Sequence, residues 1–141
     1  MLTSSQIEND ILALLQGSSL LTEVSGKIYR RGYRPRDSRR EDIIVSFIDG
    51  TPGQIEQGAV TVNIYVADLT PYKNGQYVKN GPRLAEIEQM AKRWVNSLTA
   101  ERTNYRFSLL RTIRTIEDEE LHQHYVTVQL EYNYFSNQSE K

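Results

Sequence analysis

Two stretches of the chain, residues 4–16 and 82–98, carry hydrophobic residues at helical spacing. Apolar residues that recur every three or four positions form one stripe along a helix, which packs on a core. In the first stretch, Ser5 and Glu8 have capping-box spacing, and Gly17 suits the left-handed residue that ends many helices. We expect the single tryptophan of the chain to be buried. The stripes consist of Ile7, Ile11, Leu14 and Leu15, and of Leu84, Ile87, Ala91, Trp94, Val95 and Leu98.

Alternating hydrophobic and polar residues predict strands elsewhere, because side chains alternate between the two faces of a strand. The clearest case is residues 58–67, GAVTVNIYVA. The other predicted strands are residues 27–30, 43–49, 105–116 and 122–135. Ile116 is out of phase with Ile113, which indicates a bulge or a strand end between them. Hairpins with two helices predict an α+β fold, a mainly antiparallel β-sheet with two principal helices packed against it.

Turn-forming and polar segments interrupt this pattern. Residues 68–82, DLTPYKNGQYVKNGP, hold two Asn-Gly pairs and two prolines, and predict a long mobile loop or a protruding hairpin. The acidic stretch 117–120 is predicted to form the turn before the last strand. The polar end, residues 136–141, is expected to fray. No linker divides residues 1–141, so we expect a single domain.

The composition is ordinary for a globular protein, with 38% hydrophobic and 25% charged residues and a net charge of −1. That charge argues against a protein that binds nucleic acid or an anionic membrane over its whole surface. The first ten residues lack the features of a signal peptide, and no apolar run approaches the roughly 20 residues that span a bilayer. We therefore expect a soluble protein made in the cytosol, without a membrane partner.

The sequence holds no motif of a catalytic or cofactor site. It has no cysteine, no phosphate-binding loop, no dinucleotide fingerprint and no nucleophile elbow. His122 and His124, beside Glu119 and Glu120, could share one side of a strand and contribute to a zinc site, but they equally suit the mouth of a hairpin. Paired carboxylates occur at Glu41-Asp42 and from Glu117 to Glu120, and solvated loops explain both. We expect no catalysis, no metal and no cofactor.

A basic segment, residues 27–42, is the strongest local signal. It holds seven basic and three acidic residues, a charge of +4, whereas the rest of the chain carries −5. Arginine binds carboxylates and phosphates bidentately and stacks on aromatic rings. The segment could contact nucleic acid, dock on an acidic protein patch such as residues 117–120 of another copy, or be a solvated loop. Its candidate interface residues are Arg30, Arg31, Arg34, Arg36, Arg39 and Arg40.

Tyrosines account for nine of the 13 aromatic residues. Tyrosine is enriched at interfaces because it joins an apolar ring to a polar tip. Tyr132 and Tyr134 suit either an interface or the core. The remaining candidate interface residues, in the long loop and the acidic stretch, are Tyr72, Tyr77, Glu117, Glu119 and Glu120.

Four short segments of the chain form a recognisable series. They are Gly26-Lys27-Ile28-Tyr29, Arg34-Pro35 with Ser38, Glu41-Asp42-Ile43-Ile44-Val45, and Val62-Asn63-Ile64-Tyr65-Val66. With an early helix, a mobile loop, a second helix and a closing hairpin, over residues 4–135, the series resembles small proteins of tailed phages and prophages. These are the tail-completion, or tail terminator, proteins of the neck.

The resemblance implies a structural role without catalysis. Such proteins form rings, commonly hexamers, that cap the finished tail tube and face the head connector. The implied partners are further copies of the chain, the tail tube protein and the head–tail connector, without direct DNA contact. The implied location is the host cytoplasm during assembly and then the virion. The alternative is a non-catalytic accessory domain that binds nucleic acid or protein through residues 27–42.

A ring requires two different patches on each subunit, which meet on neighbouring copies. The arginine-rich segment and a separate acidic turn at residues 117–120 would supply them.

Overall fold

The computed structural model describes residues 1–98 and 103–135. These residues form an α+β fold, and both main helices lie within one residue of their predicted bounds. The helices are α1 (Ser4–Gln16), α2 (Ser19–Glu23) and α3 (Gly81–Leu98). The strands are β1 (Ile28–Arg30), β2 (Ile43–Thr51), β3 (Ile55–Ala67), β4 (Tyr105–Leu109), β5 (Arg114–Asp118) and β6 (Gln123–Phe135).

All six strands belong to one sheet with the order β1-β2-β3-β6-β4, and β5 also pairs with β6. The pairing of β1 with β2 is parallel, and every other pairing is antiparallel. The strands β4 and β5 lie end to end along β6, with Tyr105 opposite Tyr134 and Arg114 opposite Thr127. Therefore β1 forms one edge of the sheet, and β4 with β5 forms the other.

The core lies between the sheet and the helices α1 and α3. Val60, Val62, Ile64 and Val66 of β3 are buried, as predicted from their alternation, and the partners of the first three on β6 are buried too. Trp94 is only 3% exposed, which confirms its predicted place in the core. The buried residues of the two helices are Ile7, Ile11 and Leu15, and Leu84, Ile87, Met90, Ala91, Trp94 and Leu98.

The ends of α1 differ from the prediction. Thr3 is the N-cap and forms a reciprocal capping box with Gln6, so the predicted box of Ser5 and Glu8 is wrong. Glu8 is oriented towards the sheet, where its carboxylate accepts a hydrogen bond of 3.0 Å from the backbone N–H of Phe47. Gly17 has φ of −95°, so it is not in the left-handed conformation.

The predicted strand over residues 105–116 is two strands. The chain leaves the edge at residues 110–113, and its register on β6 slips by two residues. A slip of two preserves the alternation of faces. Ile116 is therefore out of phase with the core because it pairs with Tyr125 on the other face of the sheet.

The last turn is also shifted. Glu117 and Asp118 lie in β5, opposite His124 and Gln123, and the turn comprises residues 119–122. The predicted frayed end, residues 136–141, lies outside the described residues. Within residues 1–98 and 103–135, no helix is both long and apolar enough to cross a membrane.

Candidate interface at one end of the sheet

Three segments meet at the end of the sheet where β2 begins, β3 ends and β6 begins. These ends are adjacent because β3 is antiparallel to both of its neighbours. We call the segments the arginine loop (residues 31–42), the tyrosine loop (residues 68–80) and the acidic turn (residues 119–122). Together they contain most of the candidate interface residues.

A buried ion pair fixes the arginine loop. The guanidinium of Arg34 donates to Asp42 at 2.8 Å and to the side-chain oxygen of Gln123 at 2.9 Å. The side chains of Arg34 and Asp42 are only 5% and 1% exposed. Arg34 also lies 4.3 Å from the ring centre of Tyr65. Since Gln123 in turn donates to the backbone oxygen of Ser38 at 2.8 Å, the loop is joined to the first residue of β6.

Asp42 is the acceptor at the centre of this network. Its carboxylate accepts from the Ser38 hydroxyl at 2.5 Å and from the backbone N–H of Lys27 at 2.9 Å, besides Arg34. Burial alone would raise the pKa of Asp42, but these hydrogen bonds and the charge of Arg34 outweigh it, so the pKa is lowered. Asp42 is therefore held in its charged form.

Gly26 allows this carboxylate to approach the backbone. A Cβ atom at position 26 would lie 2.2 Å from Oδ1 of Asp42 and 2.6 Å from the backbone of Glu41. Gly26, Arg34, Ser38 and Asp42 are all residues of the series that resembles tail-completion proteins. In the fold they form one contact network.

A second ion pair connects the end of the loop to α3. Arg83 donates to both carboxylate oxygens of Glu41, at 2.7 and 2.8 Å, and to the backbone oxygen of Glu23 at 2.7 Å. The hydrogen bonds from Arg83 lower the pKa of Glu41 despite its partial burial. The carboxylates predicted to be solvated, Glu41 and Asp42, are thus structural residues.

The other arginines have different environments. Arg36 forms an ion pair with Glu120, and both side chains are exposed. Arg39 donates to the backbone oxygens of Leu121 and Asp68. Arg30 points away from this end and donates to Asn9 in α1. Arg31 and Arg40 are exposed, and among the described residues their side chains have neither a hydrogen bond nor an ion pair.

Two features of the predicted interface therefore need correction. Arg34 is buried and fully engaged, so its guanidinium is not available to a partner. The acidic turn is not a patch separate from the basic segment, because Arg36 and Arg39 contact it within one subunit. These residues lie about 80 positions apart in sequence, and only the sheet brings them together.

The tyrosine loop is a small hairpin attached at its base by both histidines of the chain. Leu69 and Val78 form its bridge, and Gly75 has φ of +77° at its tip. Nδ1 of His124 lies 2.7 Å from the carboxylate of Asp68. The ring of His122 stacks on Tyr77, with centroids 3.9 Å apart and an angle of 5° between the planes.

Tyr72 lies towards the tip of the tyrosine loop and is 58% exposed. The structure thus confirms the hairpin alternative for this loop and places both candidate tyrosines on the surface.

An open cleft of about 640 Å³ lies between the tyrosine loop and the β5–β6 hairpin. Glu117 and Glu119 contribute carboxylates to it, and neither has a side-chain hydrogen bond or ion pair within the described part of the chain. Tyr77 remains 44% exposed there. The lining residues are Asp68, Tyr77, Lys79, Glu117, Glu119, His122 and His124.

The two histidines of the cleft are engaged by neighbouring groups. Among the residues that the structure describes, no three His, Asp or Glu side chains come together where they could hold a metal ion. His124 is paired with Asp68, and His122 is stacked on Tyr77. Both histidines act as contacts between loops.

Sequence reasoning missed Gln123, Asp68 and Arg83 as parts of this site. Each binds a group more than 25 positions away, and no local pattern carries that information. One signal was present for Gln123, since a polar residue at the start of a buried strand requires a partner.

In comparisons with known proteins, neither a family model nor a curated protein sequence is significantly similar to this chain.

Proposed function

We propose that this protein is a non-catalytic assembly subunit of the phage or prophage neck, similar to tail terminators. In this role, copies of the chain form a ring that caps the tail tube and joins it to the head connector. The observation that carries the proposal is the network of Gly26, Arg34, Ser38 and Asp42. These four residues, which belong to the series that carries the resemblance, lie together around the Asp42 carboxylate and hold a charged loop in one shape.

A fixed charged loop suits assembly. Binding orders the side chains and loops of an interface at a cost in entropy, and a loop held in place beforehand reduces that cost. Exposed arginines and tyrosines on such a loop are the residue types that dominate binding energy at protein interfaces. Arg31, Arg40 and Tyr33 are of this kind, and Tyr33 is 72% exposed.

A nucleic-acid-binding accessory domain is the competing function. The mixed charge at this end of the sheet argues against it, because the carboxylate of Glu120 lies against Arg36 and would repel phosphates there. Arg34 is also unavailable to phosphate.

Removal of the gene from the phage or prophage that carries it tests the proposed function. Particles made without the protein should have tails of irregular length, not joined to heads, and expression of the chain in trans should restore them. Normal particles from the deletion would refute the proposal. DNA binding that weakens steeply with salt would instead favour the accessory domain.

A further inference from the structure

Two charged surfaces without internal partners lie at opposite edges of the sheet. Arg31 directly follows β1, the strand at one edge, and Arg40 lies at the other end of the same strand, where Glu41 contacts Ser25 just before β1. Glu117 lies in β5, at the other edge, and Glu119 follows it. Neighbouring strands are about 4.8 Å apart, so four strand spacings separate these edges by about 19 Å.

We infer that the arginine edge (Arg31, Arg40 and Tyr33) binds the carboxylate cleft (Glu117, Glu119 and Tyr77) of a second copy of the chain. This contact rests on the proposed function, since it specifies how copies associate. Each subunit then uses a different surface towards each neighbour, which is the heterologous contact that closed rings require.

The chemistry of the two surfaces is complementary. A guanidinium forms two parallel hydrogen bonds with a carboxylate and stacks on an aromatic ring. The cleft offers two carboxylates without internal partners and the exposed ring of Tyr77, and the charge of the two carboxylates exceeds that of Lys79, which also lines the cleft. The arginine edge offers two guanidinium groups without internal partners.

The other charged residues at this end of the sheet do not take part in the contact between copies, because they are paired within the subunit. Arg34 is buried against Asp42, and Arg36 pairs with Glu120. Arg36 and Arg39 also lie over the acidic turn, so a second copy would have to displace them to reach Glu120. The arginine edge and the carboxylate cleft are not blocked in this way.

A charge-swap experiment tests this contact directly. One variant carries Arg31→Glu and Arg40→Glu, and the other carries Glu117→Lys and Glu119→Lys. The association of each protein is measured by sedimentation velocity at low salt. Each variant alone should associate at least about tenfold more weakly than the unchanged protein, because like charges then face each other.

The equimolar mixture of the two variants is the decisive sample. The reversed edge of one variant complements the reversed cleft of the other, and the two unchanged surfaces also complement each other. Alternating copies should therefore restore association to within about threefold of the unchanged protein, and salt near 150 mM should weaken it. A mixture as weak as the separate variants would overturn the contact.

The control variant carries Lys92→Glu and Arg93→Glu on the exposed side of α3 and should associate like the unchanged protein. Equal loss in this control would overturn the assignment, because net charge alone would then explain the effect. Circular dichroism checks that every variant is folded.

Failure of this contact is distinguishable from failure of the proposed function. The contact is overturned if the unchanged protein stays monomeric up to about 1 mM. A dissociation constant of 1 mM corresponds to a binding free energy of about 4 kcal/mol, so the contact would then be weaker than that. The gene-removal experiment would still decide tail completion.

Discussion

At the residue scale, the charges at this end of the sheet divide into structural and available groups. Asp42 is buried and satisfied by three donors, and Arg34 is satisfied in turn by Asp42 and Gln123. Breaking such a pair leaves an unpaired buried charge, which costs about 3–5 kcal/mol. Arg31 and Arg40 lack such partners among the described residues. Residues of one type in one segment therefore have different roles.

Replacement of Gly26 tests the residue that admits Asp42 to the backbone. Gly26→Ala should lower the free energy of unfolding by about 1–3 kcal/mol, because its Cβ would overlap Asp42 and the backbone of Glu41. Urea denaturation measures this. Gly17→Ala is the matched control, since a Cβ there meets nothing within 4 Å and φ is ordinary. Equal stability of the two variants would contradict the role of Gly26.

At the element scale, the tyrosine loop combines an attached base with an exposed tip. Asp68 and Tyr77 connect the base to the β5–β6 hairpin through His124 and His122. Residues 70–77 are exposed. Segments with few buried contacts open locally at low free energy. The loop should therefore open from its tip.

Limited proteolysis with chymotrypsin follows this opening. We expect the first cleavage after Tyr72, and Asp68→Asn should accelerate it several-fold, because the variant weakens the attachment to His124. Mass spectrometry of the early fragments identifies the site. Glu119→Gln, on the other side of the cleft, should leave the rate unchanged. Earlier cleavage after Phe47 or Tyr65, both within the sheet, would contradict the expected order of opening.

At the scale of the whole molecule, the arginine loop is connected to two separate parts of the fold. Arg34, which pairs with Asp42 inside the loop, joins it to the sheet through Gln123, and the ion pair of Glu41 with Arg83 joins it to α3. The pKa of each carboxyl is lowered from its ordinary value, which is 3.8 for Asp42 and 4.5 for Glu41. A carboxyl with a lowered pKa stabilises the fold at pH values above its ordinary pKa, and that stabilisation is lost as the pH falls through the folded-state pKa.

The free energy of unfolding should therefore decrease as the pH falls below about 4.5. Glu41→Gln should lower it by about 1–3 kcal/mol at pH 7, because the charged hydrogen bonds to Arg83 are lost, and by less in acid. Urea denaturation at several pH values measures whether the free energies of unfolding of Glu41→Gln and of the unchanged protein converge in acid. Glu131→Gln, an exposed substitution on β6, should show the same pH dependence of the free energy of unfolding as the unchanged protein. A constant difference for Glu41→Gln would refute the assignment.

The sequence by itself determined the fold class, the two main helices and the hairpins. Their signals are local, because a hydrophobic period of two or of three to four specifies which face of an element is buried. The stripe ending at Leu98 and the alternation of β3 are examples. The exact ends of the elements were harder to predict from the sequence, since Thr3 rather than Ser5 caps α1. That choice depends on where the chain enters the helix.

The tertiary structure alone decided which charges are available. Segment 27–42 and residues 117–120 are separately basic and acidic in sequence, but the antiparallel sheet places Arg36 beside Glu120 and buries Arg34 against Asp42. The same sheet leaves Arg31 and Glu117 on opposite edges. Coulomb energy depends on separation and on burial, and neither quantity can be obtained from spacing along the chain.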